Sequence, residues 1–146
     1  MGVIWEEAFE TGHVEIDRQH RELLALVDDL ESAQEESPES LLRVLQHVMD
    51  FTHTHFLMEE ILMVDVRYPS SACEEMIAHH AEFTSYARLR VMEFRKGALV
   101  SVLPLQAFLA EWLTRHEFGL DCLLADFIRQ QALGTAAPED VVDATT

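Results

Sequence analysis

Four long stretches of this chain repeat apolar residues every three to four positions, and only brief clusters of turn-forming residues separate them. That period belongs to a helix with one buried face, and a pattern of this length cannot settle as strands. Leu23, Leu24, Leu26, Val27 and Leu30 mark a first helix over about Arg18 to Gln34, for which Asp17 can serve as N-cap. Ser37 and Pro38 then read as N-cap and first residue of a second helix. Leu41, Leu45, Val48, Phe51, Leu62 and Met63 carry it to about Val64. Ser71 with Glu74 three residues on is a capping-box pattern opening a third helix, which runs to about Lys96 before Gly97. A fourth spans about Pro104 to Ala132. Short connections favour antiparallel neighbours, so the expected fold is all-α, an up-down-up-down antiparallel four-helix bundle over residues 1–132 with an N-terminal arm. Residues 133–146 have too few large apolar side chains to offset ordering entropy and are expected to form a flexible tail.

Charge narrows the function. Ten basic residues against 27 acidic give −17, with no lysine or arginine run, which argues against nucleic acid and against docking on anionic lipid. Cys73 and Cys122 lie outside any Cys-x-x-Cys pattern and are expected to be reduced thiols. The acidic N-terminal segment lacks the features of a secretory signal, and no apolar run is long enough for membrane insertion, so a cytoplasmic address is expected.

The chemistry is carried by the histidines, eight in a chain with only ten Lys plus Arg. His20 opens the first helix. His55 and Glu59 lie four apart on the second and project from one face. His79 and His80 are on the third, and His116 and Asp121 on the fourth. Each helix thus offers a donor, and in a bundle inward donors converge. Any one of these histidines is more commonly a surface or hydrogen-bonded core residue, and His13 and His47 are read that way. Together, buried His, Glu and Asp without a cation would cost several kcal/mol per ion, on the order of a whole domain's stability, so a metal is the simpler account. Nitrogen and carboxylate donors without thiolate suit iron, manganese or zinc.

These residues resemble the hemerythrin family. The stretch from Trp5 through Gly12, Ile16, Asp17, Gln19, His20 and Leu23 is similar to its first-helix motif, HFLME at His55 to Glu59 to its second, and WLTRH with Asp121 five beyond His116 to its fourth. The resemblance implies two iron ions, oxo- or hydroxo-bridged, that bind dioxygen for storage, delivery or sensing. It places His20 and His55 on the iron with the open site, Glu59 and Asp121 across both ions, and His116 on the other iron. His80 aligns with a third-helix histidine, and Leu23, Phe56 and Leu113 would wall the dioxygen pocket. The five-residue spacing from His116 to Asp121 turns about 140° on an ideal helix, so that pair rests on the resemblance and not on periodicity. The ferritin-like alternative requires a Glu-x-x-His pair on each of two helices, and the sole such spacing is Glu10 to His13 in the arm.

The chain departs from the family pattern twice. Aligning His80 and Phe83 with the third-helix motif puts Met76 where a histidine is usual. A one-residue shift would instead pair Glu75 with His79, turning Glu82 and Arg90 inward. The first register keeps Met76, Phe83, Ala87, Val91 and Phe94 on one stripe. Glu117 follows His116 where an apolar residue is usual, and shares a helix face with Asp121. Either it reaches solvent at the rim or it is an extra ligand; His79 is the other candidate. Three readings follow: an O2-binding di-iron protein; a di-iron oxidase or peroxidase in which Glu117 donates a proton; and a metal-containing interaction module whose protein partner the sequence does not name.

Overall fold

The computed structural model describes residues 5–97 and 101–136, the side chains of 116, 135 and 136 excepted. A 3-10 turn at Glu7–Phe9 precedes α1 (Val14–Glu36), α2 (Pro38–Asp65), α3 (Ser70–Arg95) and α4 (Leu103–Trp112). A π-helical turn, Leu113–Glu117, then leads into α5 (Phe118–Ala136). Helices α4 and α5 with the π-turn between them form the fourth rod of a four-helix bundle, and there is no strand among the described residues. Helix α5 continues to Ala136, so the first four residues of the expected 133–146 tail are helical; residues 137–146 lie outside the described residues.

Each rod buries most of the stripe its sequence announces, with Leu26, Phe51, Leu62 and Phe94 only partly covered. Leu23, Leu24, Val27 and Leu30 of α1 meet Leu41, Leu45 and Val48 of α2, Phe83, Ala87 and Val91 of α3, and Leu105 and Leu109 of α4 in one core. Each fully buried Leu or Phe contributes about 1.5–3 kcal/mol relative to exposure. On α3 the inward residues are Met76, His80, Phe83, Ala87 and Val91, while Glu75 and Glu82 face solvent, so the first of the two registers is the one adopted. Ser37 caps α2, its hydroxyl accepting from the Ser40 amide at 3.0 Å. Gly97, at φ 76°, follows α3 in the left-handed conformation that glycine favours.

Two expected caps are replaced. Helix α1 begins at Val14, and the cap is His13, whose Nδ1 accepts from the Ile16 amide at 3.3 Å. Asp17 lies inside the helix, buried, and its carboxylate reaches back to the arm. Oδ1 accepts from the Thr11 amide at 2.9 Å and the Thr11 hydroxyl at 2.7 Å, and Oδ2 from the Gly12 amide at 3.2 Å. Burial works to raise this carboxyl, but those bonds outweigh it and hold it below the usual aspartate range. Helix α3 starts at Ser70 behind Pro69, which leaves Ser71 within the helix and no side-chain cap made.

The fourth rod contains the departure that matters most for the site. Phe118 N–H donates to the Leu113 carbonyl five residues back, a π-type bond that takes up one extra residue. The buried positions Leu105, Leu109, Leu113, Glu117, Asp121 and Ala125 recur every four residues. On an uninterrupted α-helix a four-residue step overshoots a full turn by about 40°, and five such steps accumulate about 200°. The extra residue removes about 100° of this drift, so Glu117 and Asp121 stay on the core side.

Candidate metal centre

Six buried polar side chains from all four rods meet inside the bundle. His20 comes from α1, His55 and Glu59 from α2, His80 from α3, Glu117 from the π-turn and Asp121 from α5; none is more than 4 % exposed. They fall into two overlapping groups, His20, His55, Glu59 and Asp121 in one and Glu59, His80 and Glu117 in the other. Within each group the donor atoms lie within 4.8 Å of one another. Glu59 belongs to both.

The imidazoles point their Nε2 atoms inward. His20 Nε2 is 2.6 Å from Asp121 Oδ2 and 3.2 Å from His55 Nε2. His55 Nε2 is 3.3 Å from Asp121 Oδ2 and 3.1 Å from Glu59 Oε2. His80 Nε2 lies 3.1 Å from Glu59 Oε1 and 3.2 Å from Glu117 Oε2. Two rings are oriented from behind. His55 Nδ1 is 2.7 Å from Gln19 Oε1, and His80 Nδ1 is 3.0 Å from Glu60 Oε2. A proton on each Nδ1 leaves Nε2 free as a donor to a cation. Phe118 stacks on His20 with centroids 4.0 Å apart, and Phe56 on His80 at 3.8 Å.

Charge is badly balanced in this cluster. Three carboxylates are fully buried together, and no lysine or arginine is among the buried residues described. Burial, reinforced by Asp121 and Glu117, pushes Glu59 well above the usual carboxylate range; burial and Asp121 push Glu117 up too. Burial also acts to raise Asp121, yet hydrogen bonds with Glu59, His20 and His55 prevail and hold it low. Burial lowers His20 against the pull of Asp121, whereas for His80 the opposing bonds to Glu117 and Glu60 prevail and raise it. Glu59 Oε2, Glu117 Oε1, Asp121 Oδ1 and His20 Nδ1 have no hydrogen-bond partner. Glu59 Oε2 is near His55 Nε2, but not aligned for a bond. Buried carboxyl oxygens without partners, beside inward-pointing imidazole nitrogens, are what a divalent cation with oxygen and nitrogen preference satisfies. The residues present therefore fit a metal.

A comparison of the sequence with known families decides the relationship. The Hemerythrin HHE cation binding domain matches residues 11–124. The chain belongs to the hemerythrin family. Bacteriohemerythrin of Stenotrophomonas maltophilia (strain R551-3) is 30 % identical over 128 residues, 87 % of this chain and 82 % of that protein. Bacteriohemerythrin of Pseudomonas aeruginosa (strain LESB58) is 29 % identical over the same shares. The Hemerythrin-like protein of Naegleria gruberi is 27 % identical over 117 residues, 80 % of this chain and 86 % of that one.

In this hemerythrin chain the structure brings together His20, His55, Glu59, His80, Glu117 and Asp121. The side chain of His116 lies outside the described residues. His79 is not in either group: its Nδ1 donates to the Glu75 carbonyl at 3.1 Å and its ring sits 6.3 Å from Trp112. Met76 packs against Met63 and Leu124. Leu23, Phe56 and Leu113 are buried in the core. Gln19 and Glu60 were not singled out as orienting groups from sequence. Their signal was adjacency, Gln19 preceding His20 and Glu60 following Glu59. Among the described residues, no helix is long and apolar enough to cross a membrane.

Proposed function

We propose that this chain holds two non-haem iron ions and binds dioxygen at them. One observation carries the reading: two donor groups that share Glu59, with unpartnered oxygens in both. The pair, when bound, supplies the two electrons that dioxygen takes up. His20 and His55 would hold one position and His80 the other, with Glu59 shared by both donor groups; by resemblance Asp121 would also serve both and His116 the second. Gln19 fixes the His55 ring and Glu60 the His80 ring, so the chain arrives with its nitrogens aimed. Leu23, Phe56 and Leu113 form a dry wall that keeps water and stray protons from the pair. The bacteriohemerythrin relatives and the free Cys73 and Cys122 support a dioxygen-handling protein of the reducing cytoplasm.

A second reading, a di-iron oxidase or peroxidase, draws on the third buried carboxylate, Glu117, which adds negative charge and would favour ferric iron. Anaerobic loading with ferrous salt, desalting, elemental counting and stopped-flow mixing with dioxygen test both. Retained iron and an absorbance change that deoxygenation reverses support carriage. Prompt irreversible oxidation supports the enzyme, and failure to retain iron refutes both.

A further inference from the structure

We infer that Glu117 is a metal ligand of the second position, delivered to it by the π-turn; this rests on the two-metal reading above. Three independent observations converge on it. The first is supply. Helix α3 contributes one donor to the second group, because the residue one turn before His80 on the same face is Met76, and its thioether is packed among Met63 and Leu124. A thioether is in any case a poor partner for a hard cation. Without Glu117 the second group of described donors would consist of Glu59 and His80, and Glu59 is shared.

The second is placement. Counting from Leu109 on an uninterrupted α-helix, position 117 would lie about 80° away from the core direction and position 121 about 120° away. The extra residue in Leu113–Glu117 swings both back by about 100°, and both are 0 % exposed. A rare helical form, weaker than the α-helix it interrupts, sits where it turns a carboxylate into the bundle interior.

The third is an unmet valence. Glu117 Oε2 is 3.2 Å from His80 Nε2, while Oε1 is buried with no partner. With Glu117, the three carboxylates set three negative charges against the four positive charges of two divalent ions; without it, one fewer negative charge meets the same cations in a buried space.

Ferrous ion alone, added anaerobically and counted after desalting, tests the assignment alongside thermal unfolding of the metal-free proteins. The wild type is expected to retain about two ions per chain, and Glu117→Leu and Glu117→Gln about one. The metal-free Glu117→Leu protein should melt no lower than wild type, since it removes a buried polar oxygen that has no partner. Met76→His in the Glu117→Leu background should restore the count towards two, because it places an imidazole one turn from His80. Equal iron counts and affinities in wild type and both variants would overturn the role of Glu117 while leaving the metal reading intact. A lower melting temperature of the metal-free Glu117→Leu protein with an unchanged iron count would make it a structural partner of His80. Iron absent from the wild type itself would remove the metal reading and this assignment with it.

Discussion

Replacing Asp17 by alanine should detach the N-terminal arm from the bundle. Its carboxylate receives three hydrogen bonds, from the Thr11 amide and hydroxyl and from the Gly12 amide. A bond to a charged group is worth about 1.5–3 kcal/mol, so three would sum to roughly 4.5–9 kcal/mol if the donors stayed buried. They need not: the arm can swing into water and rehydrate them, which limits the loss to the anchoring itself. We expect about 2–4 kcal/mol, or roughly 5–15 °C in melting temperature for a chain of this size. Asp17→Asn should cost about half as much, because its amide oxygen can keep the Thr11 bonds while its NH2 opposes the Gly12 N–H. Urea unfolding measures the loss. Trp5 packs on Phe9 and Phe118, so its fluorescence in a Trp112→Phe background reports the arm separately. The folded state holds Asp17 below its usual range, so its contribution is complete above about pH 4 and disappears as pH falls through the depressed value. Wild type and Asp17→Ala should therefore converge in acid. A loss under about 0.5 kcal/mol at pH 7, or a gap that does not shrink in acid, would refute the anchoring argument.

Gln19→Leu should leave the fold intact and weaken ferrous ion retention by about 10–100-fold, read by competition with a chelator, because the His55 ring loses its orienting oxygen. Phe118→Ala should cost about 3–5 kcal/mol by calorimetry, since that ring is fully buried against His20, Trp5 and Phe9. Ser37→Ala removes the α2 cap and should cost about 1 kcal/mol by chemical denaturation.

Features encoded by neighbours in sequence could be read before folding. Ser37 and Pro38 mark the start of α2, and the Met76 to Val91 stripe sets the α3 face, because both depend on local backbone geometry and helical period. His55 and Glu59 share a face for the same reason. Asp17 looks like a cap by residue type, but its partners are Thr11 and Gly12, and this backward contact extends the helix to His13. Ser71 has the right companion in Glu74, yet Pro69 takes the N-cap place and starts α3 two residues earlier. The π-turn was the least legible element, since hydrogen-bond register is not a property of any single residue. Its trace in sequence is the five-residue step from His116 to Asp121, together with core positions recurring every four residues.

Because the π-turn holds a surplus residue, the fourth rod should tolerate a shortening that would ruin an ordinary helix. Arg115 is largely solvent-facing. Excising it would let the rod close into continuous α-helix while every side chain downstream kept its heading, whereas adding one residue there would rotate Asp121 and Leu124 off the axis of the bundle. Evolution or engineering could thus trim this segment more safely than lengthen it.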